Sequence, residues 1–171
     1  MPSLTTEVPA RASQFEAAWK PWLAAGLWIG LIAFESTNWL SSEHTGSFLY
    51  FWVVRLFGPV NPITFEIYHH LLRKTGHVFG YAMLGFLLFR AWRATLLRLD
   101  LRRWSFQSAA LAWVMTALVA SLDEWHQSYL PSRTGTIWDV CLDSTAAVGM
   151  LALLWVVLRR RSLSTEERPG N

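Results

Sequence analysis

Cysteine is almost missing from this chain. Cys141 stands alone, so no internal disulfide, CxxC pair or cysteine-based zinc framework can form. Charge is scarce as well. Charged residues make up 16% of the chain against 53% apolar ones, and the mean hydropathy is +0.25; this balance argues against a water-soluble domain and for a small polytopic membrane protein. The first twenty residues lack the compact basic-then-apolar layout of a cleaved signal peptide. They are expected to form a polar tail ahead of a first span that acts as an uncleaved insertion signal. There is no internal repeat, GxSxG elbow or HExxH pair. Ser36, Ser121, Ser128 and Ser132 therefore read as capping or cross-helix hydrogen-bonding groups rather than nucleophiles.

What is present is a succession of apolar runs separated by polar turns. Residues 21–40, 69–92, 106–122 and 137–158 each approach the roughly 20 helical residues needed to cross a hydrocarbon core. A shorter run, residues 47–58, is interrupted by Arg55 and closed by GPVNP, so it predicts a re-entrant or interfacial helix. The SSEHTG before it reads as a turn, and SLSTEERPGN at the end as a segment without fixed structure. The expected fold is all-α: a polytopic membrane protein of four transmembrane helices plus that short helix. It divides into an N-terminal tail (1–20), a transmembrane domain (21–158) and a basic, polar tail (159–171), both tails cytoplasmic.

Charge placement gives an expected orientation. With the arginine-rich loop after the second span inside, Arg11, Lys20, Arg90, Arg93, Arg98, Arg102, Arg103, Arg159, Arg160, Arg161 and Arg168 all lie in the cytoplasm. Only Arg55, Arg73, Lys74 and Arg133 lie outside. Retention on the cytoplasmic side explains this basic bias better than a nucleic-acid partner does.

In this topology four polar groups meet at the outer face. They are Glu35 with Ser36, then Arg73, Lys74 and His77, then Asp123, Glu124 and Gln127, and finally Arg133, Asp139 and Asp143. Arg73, His77 and Tyr81 recur every four residues, so one helix stripe carries a guanidinium, an imidazole and a phenol. Asp123 with Gln127, and Asp139 with Asp143, repeat the same spacing. Charges beside long apolar runs need a partner, a ligand or a water-filled cavity. Two neighbouring carboxylates in low dielectric need not both ionise, and such an arrangement serves a structural ion network as readily as an acid and base pair. Glu124 and His126 are two apart and point to different sides of a helix, so the spacing suggests no zinc site and no resident metal or cofactor is expected; a hard divalent ion held by carboxylates and a substrate phosphate is the alternative. Gly76, Gly80 and Gly85 read as sites of close helix contact.

Two blocks, RKTGHVFGYAMLG (73–85) and DEWHQSYLPSRTGTIWDVCLD (123–143), resemble the VanZ-like family of small bacterial membrane proteins. The family's arginine-lysine pair, histidine and tyrosine fall on Arg73, Lys74, His77 and Tyr81. Its acidic pair, glutamine, proline-turn arginine and two later polar positions fall on Asp123, Glu124, Gln127, Arg133, Asp139 and Asp143. Many members have glutamate where Gly80 stands here. The family is named for a protein associated with reduced susceptibility to teicoplanin, a lipoglycopeptide antibiotic. The resemblance implies a multi-pass protein of the bacterial cytoplasmic membrane and cell envelope. Its expected partners are membrane lipids, a lipid-linked cell-wall precursor or a lipoglycopeptide, bound at an outward-facing polar site. The alternative is a membrane-embedded hydrolase or transferase of an amphiphile, with Asp123 or Glu124 as base and His77 moving a proton.

Overall fold

The computed structural model describes residues 7–37, 42–96, 104–130 and 135–166. Every regular element among them is an α-helix: α1 (Glu7–Glu35), α2 (Ser42–Phe57), α3 (Pro62–Leu96), α4 (Phe106–Gln127) and α5 (Ile137–Glu166). The all-α expectation therefore holds. The arginines of the 98–103 loop lie outside the described residues.

Local chemistry sets the helix starts. Asn61 Oδ1 accepts the Ile63 N–H at 2.9 Å, and Pro62 follows with its φ already helical and no N–H to satisfy. Ser105 stands in extended geometry before α4, and its hydroxyl oxygen accepts the Ser108 N–H at 3.2 Å. Thr136 caps α5: its hydroxyl accepts the Asp139 N–H at 3.3 Å and donates to Asp139 Oδ2 at 2.8 Å. Between α2 and α3, Gly58 takes φ +89°, a left-handed conformation that glycine adopts without strain and that ends α2.

Several helices run further than the hydropathy suggests. α1 is already helical at Glu7 and continues through Pro21, α2 begins at Ser42 within the SSEHTG expected to turn, α3 begins at Pro62 instead of near residue 69, and α5 continues to Glu166 through residues expected to lack structure. Hydropathy marks where a chain meets an apolar solvent, and a helix carries on past that boundary wherever no residue breaks it. At 1.5 Å per residue α3 is about 52 Å long, well beyond a hydrocarbon core of roughly 30 Å.

Among the described residues two helices, α4 and the Ile137–Arg160 part of α5, are long and apolar enough to cross a membrane. Only 33% and 17% of their most apolar windows are buried, so these are not the enclosed core helices of a soluble protein. Leu118, Leu122, Trp138 and Leu153 are among the large side chains they turn outward. The molecule is thus a helical membrane protein whose apolar surface faces away from the bundle.

α3 is the central post, packed against α1, α4 and α5, with α4 and α5 also in contact and α2 touching α3. Small residues make these contacts. Ala25, Ala91, Ala112, Ala120 and Ala147 are fully buried, and a Cβ added to Gly85 would stand 3.0 Å from that of Ala147. Lipid tails supply no hydrophobic drive for helix association, so close backbone approach and the dispersion it permits hold such a bundle together. Gly76 and Gly80 do not share this role, since a Cβ at either would meet nothing within 4 Å.

One end of the bundle is tied by aromatic groups. Trp22 donates to Thr95 Oγ1 at 2.9 Å and meets Trp92 edge-on, while Phe89 stacks on Trp104. The other end gathers the C-terminus of α1, the N-terminal half of α3, the C-terminus of α4 and the start of α5. There Trp28 donates to the Gly80 carbonyl at 2.8 Å and fixes α1 against α3.

Candidate functional site

At that second end polar side chains from three helices enter the bundle. Tyr81 of α3 is 1% exposed and donates its hydroxyl to Asp123 Oδ2 of α4 at 2.9 Å. Gln127, one turn after Asp123, donates to the same oxygen at 3.0 Å. The i, i+4 spacing of Asp123 and Gln127 lets one carboxylate serve both a neighbour on its own helix and a partner across the interface.

Glu124 is held differently. Its Oε2 accepts the backbone N–H of Thr136 at 2.9 Å, across the α4–α5 connection. Gly135 makes this approach feasible, because a Cβ there would collide with the Glu124 carbonyl oxygen. Asp139 sits at the rim, where it accepts from Thr136 and pairs with Lys74 Nζ at 3.3 Å. Lys74 is 47% exposed, so this pair contributes less than about 1 kcal/mol and mainly sets side-chain direction.

Asp143 lies one turn deeper than Asp139 and is 1% exposed. Neither of its carboxylate oxygens has a hydrogen-bond partner, although His77 Nδ1 stands 3.6 Å from Oδ2. His77 also stacks against Tyr81, with ring centroids 6.2 Å apart. Ligand atoms of His77, Glu124 and Asp143 all fall within 4.8 Å of one another.

A cavity of ≈ 20 Å³, about the room a single water occupies, adjoins this cluster. It is lined by Ile32 and Glu35 of α1 and Ser36 just after it, by Gly76, His77, Gly80 and Tyr81 of α3, and by Asp123 of α4. Gly76 and Gly80 keep it open by having no side chain to fill it. Buried Ser36 Oγ has no hydrogen-bond partner, and the mixed lining includes His77, Tyr81 and Asp123, with which a water could bond.

Of the residues singled out by sequence, His77, Tyr81, Asp123, Glu124, Gln127 and Asp143 come together inside the bundle, with Lys74 and Asp139 at their rim. Arg73 is half-buried on the same helix, one turn before His77. Arg133 and Ser132 lie outside the described residues. Ser121 and Ser128 donate to the carbonyls of Ala117 and Trp125, as helix-bound hydroxyls do, and His126 is exposed. Thr136 and Gly135 belong to the site and were not singled out. The signal for Thr136 is legible: a threonine three residues before an aspartate, opening an apolar run, is a capping box.

Residues 21–159 match the family described as VanZ/LLP1. No curated protein and no solved structure matches the chain.

Proposed function

The chain belongs to the VanZ/LLP1 family, and from that premise we propose that it is a four-span envelope protein that binds the polar head of an amphiphile at the end of its bundle. In this reading α1, α3, α4 and α5 cross the cytoplasmic membrane of a bacterium, α2 lies along its surface, and both termini are cytoplasmic. The cluster then opens to the extracytoplasmic side.

The observation that carries the reading is a graded polar site on an otherwise apolar, outward-facing bundle. Lys74 stands at an exposed rim with Arg73 beside it, and the acidic, hydrogen-bonding floor of Asp123, Glu124 and Gln127 is buried. A head group that joins an anionic phosphate to hydroxyl or amine donors matches both levels: the phosphate meets the cations, and the donors meet the carboxylates. The acyl or prenyl chain stays on the exposed apolar faces of α4 and α5. Membrane phospholipids, lipid-linked cell-wall precursors and lipoglycopeptides all have this division into polar head and apolar anchor.

Native mass spectrometry of the detergent-purified protein tests the reading with phosphatidylethanolamine, phosphatidylglycerol and a polyprenyl pyrophosphate offered separately. Wild-type protein retains at least one of them, and Lys74→Ala or Glu124→Gln loses about tenfold in retention, roughly the 1.4 kcal/mol of one charge-assisted hydrogen bond. Equal retention by wild type and both variants overturns the proposal.

A further inference from the structure

Four carboxylates gather in this cluster, and three of them have clear employment. Asp123 accepts from Tyr81 and Gln127, Glu124 Oε2 accepts from Thr136, and Asp139 pairs with Lys74 and Thr136. Asp143 is the exception. It is almost wholly buried, its two oxygens lack hydrogen-bond partners, and it points toward His77 and Glu124. A buried carboxylate in that position is costly unless something else satisfies it.

We propose that His77, Glu124 and Asp143 form a binding site for one first-row divalent cation of the zinc class. The ligand atoms converge from three helices, α3, α4 and α5, to within 4.8 Å of one another. Around a tetrahedral zinc with bonds of 2.0–2.1 Å, neighbouring ligand atoms are about 3.3 Å apart. His77 Nδ1 and Asp143 Oδ2, at 3.6 Å, already stand close to one edge of that tetrahedron. A carboxylate oxygen of Glu124 lies within 4.8 Å of both, and must draw in further to complete the shell.

Charge supports the same assignment. One neutral imidazole and two carboxylates carry two negative charges, which a divalent cation cancels, so the loaded cluster is neutral where an isolated carboxylate is expensive. The imidazole selects against magnesium and calcium, which prefer oxygen ligands throughout, and favours zinc and its neighbours. The Thr136 N–H on Glu124 Oε2 is the kind of outer hydrogen bond that orients a ligating carboxylate. Three protein ligands leave a fourth position open, and of the three His77 also lines the adjoining cavity.

The test requires no knowledge of the amphiphile. Full-length protein carrying an affinity tag without histidines is purified in detergent, stripped with chelator, exposed to one equivalent of zinc chloride, and desalted. Elemental analysis is expected to find one zinc per chain in wild type and in Glu66→Gln, an exposed control on α3. In Asp143→Asn and His77→Gln, affinity falls by more than about a hundredfold, beyond the effect of losing an outer-shell partner. Zinc retained at the wild-type level by either variant, or no zinc retained by wild type, overturns the proposal. Folding of the variants is read by size exclusion and helical circular dichroism. If either variant misfolds, X-ray absorption at the zinc edge of the wild-type protein decides: nitrogen and oxygen neighbours with imidazole scattering support the site, and a sulphur neighbour or an all-oxygen shell overturns it.

Discussion

Tyr81 and Asp123 are the most fully enclosed polar contact between α3 and α4, and the phenol works as a donor there. Tyr81→Phe keeps the ring and its stacking on His77 but leaves Asp123 Oδ2 with Gln127 alone. The expected cost is about 1–3 kcal/mol of stability, the penalty for withdrawing a partner from a buried charged acceptor. It is measured as a lower midpoint of thermal unfolding in detergent, and an unchanged midpoint refutes the assignment. At this scale the sequence is informative about membership and poor about pairing. The four-residue spacing of His77 and Tyr81, and of Asp123 and Gln127, identifies side chains that share a face. It does not say that Lys74 turns to Asp139 while Asp143 goes unbonded, because that depends on how far each helix is rotated against its neighbour. Gly135 was invisible for a related reason. Its necessity comes from a carbonyl eleven residues away in the chain, which no local pattern records.

α3 is the element on which the others depend, and its close crossing with α5 is its most sensitive point. Gly85→Leu drives a branched side chain into Ala147, so α3 and α5 must separate; a loss of about 1–3 kcal/mol follows from overpacking. Gly76→Ala meets only open space. Thermal unfolding of the pair in detergent is expected to show a marked drop for Gly85→Leu and almost none for Gly76→Ala, and equal effects would remove the distinction between them. The five helices were legible as elements from apolar runs and from the GPVNP break. Their ends were not, since polar stretches such as SSEHTG and SLSTEE oppose burial without opposing helix, and Pro21 removes one donor without ending α1. The sequence alone does not divide the glycines of α3 by role. Only rotation about the helix axis separates Gly85, which faces α5, from Gly76 and Gly80, which line the cavity.

For the whole molecule the decisive quantity is which side of the membrane the polar end occupies. Ser128 is exposed at the C-terminal cap of α4, beside the cluster. Ser128→Cys in a Cys141→Ser background is expected to react with a membrane-impermeant maleimide in intact spheroplasts. Reaction only after permeabilisation would invert the orientation.

The crossing of Gly85 with Ala147 also closes something. It lies one turn beyond Tyr81 on α3 and one turn beyond Asp143 on α5. Leu84 beside it and Leu88 and Leu151 past it are buried in the interior, with Ala120 buried alongside. Among the described residues the polar cluster is therefore backed by an apolar layer. A head group bound as proposed would have to leave by the side from which it entered.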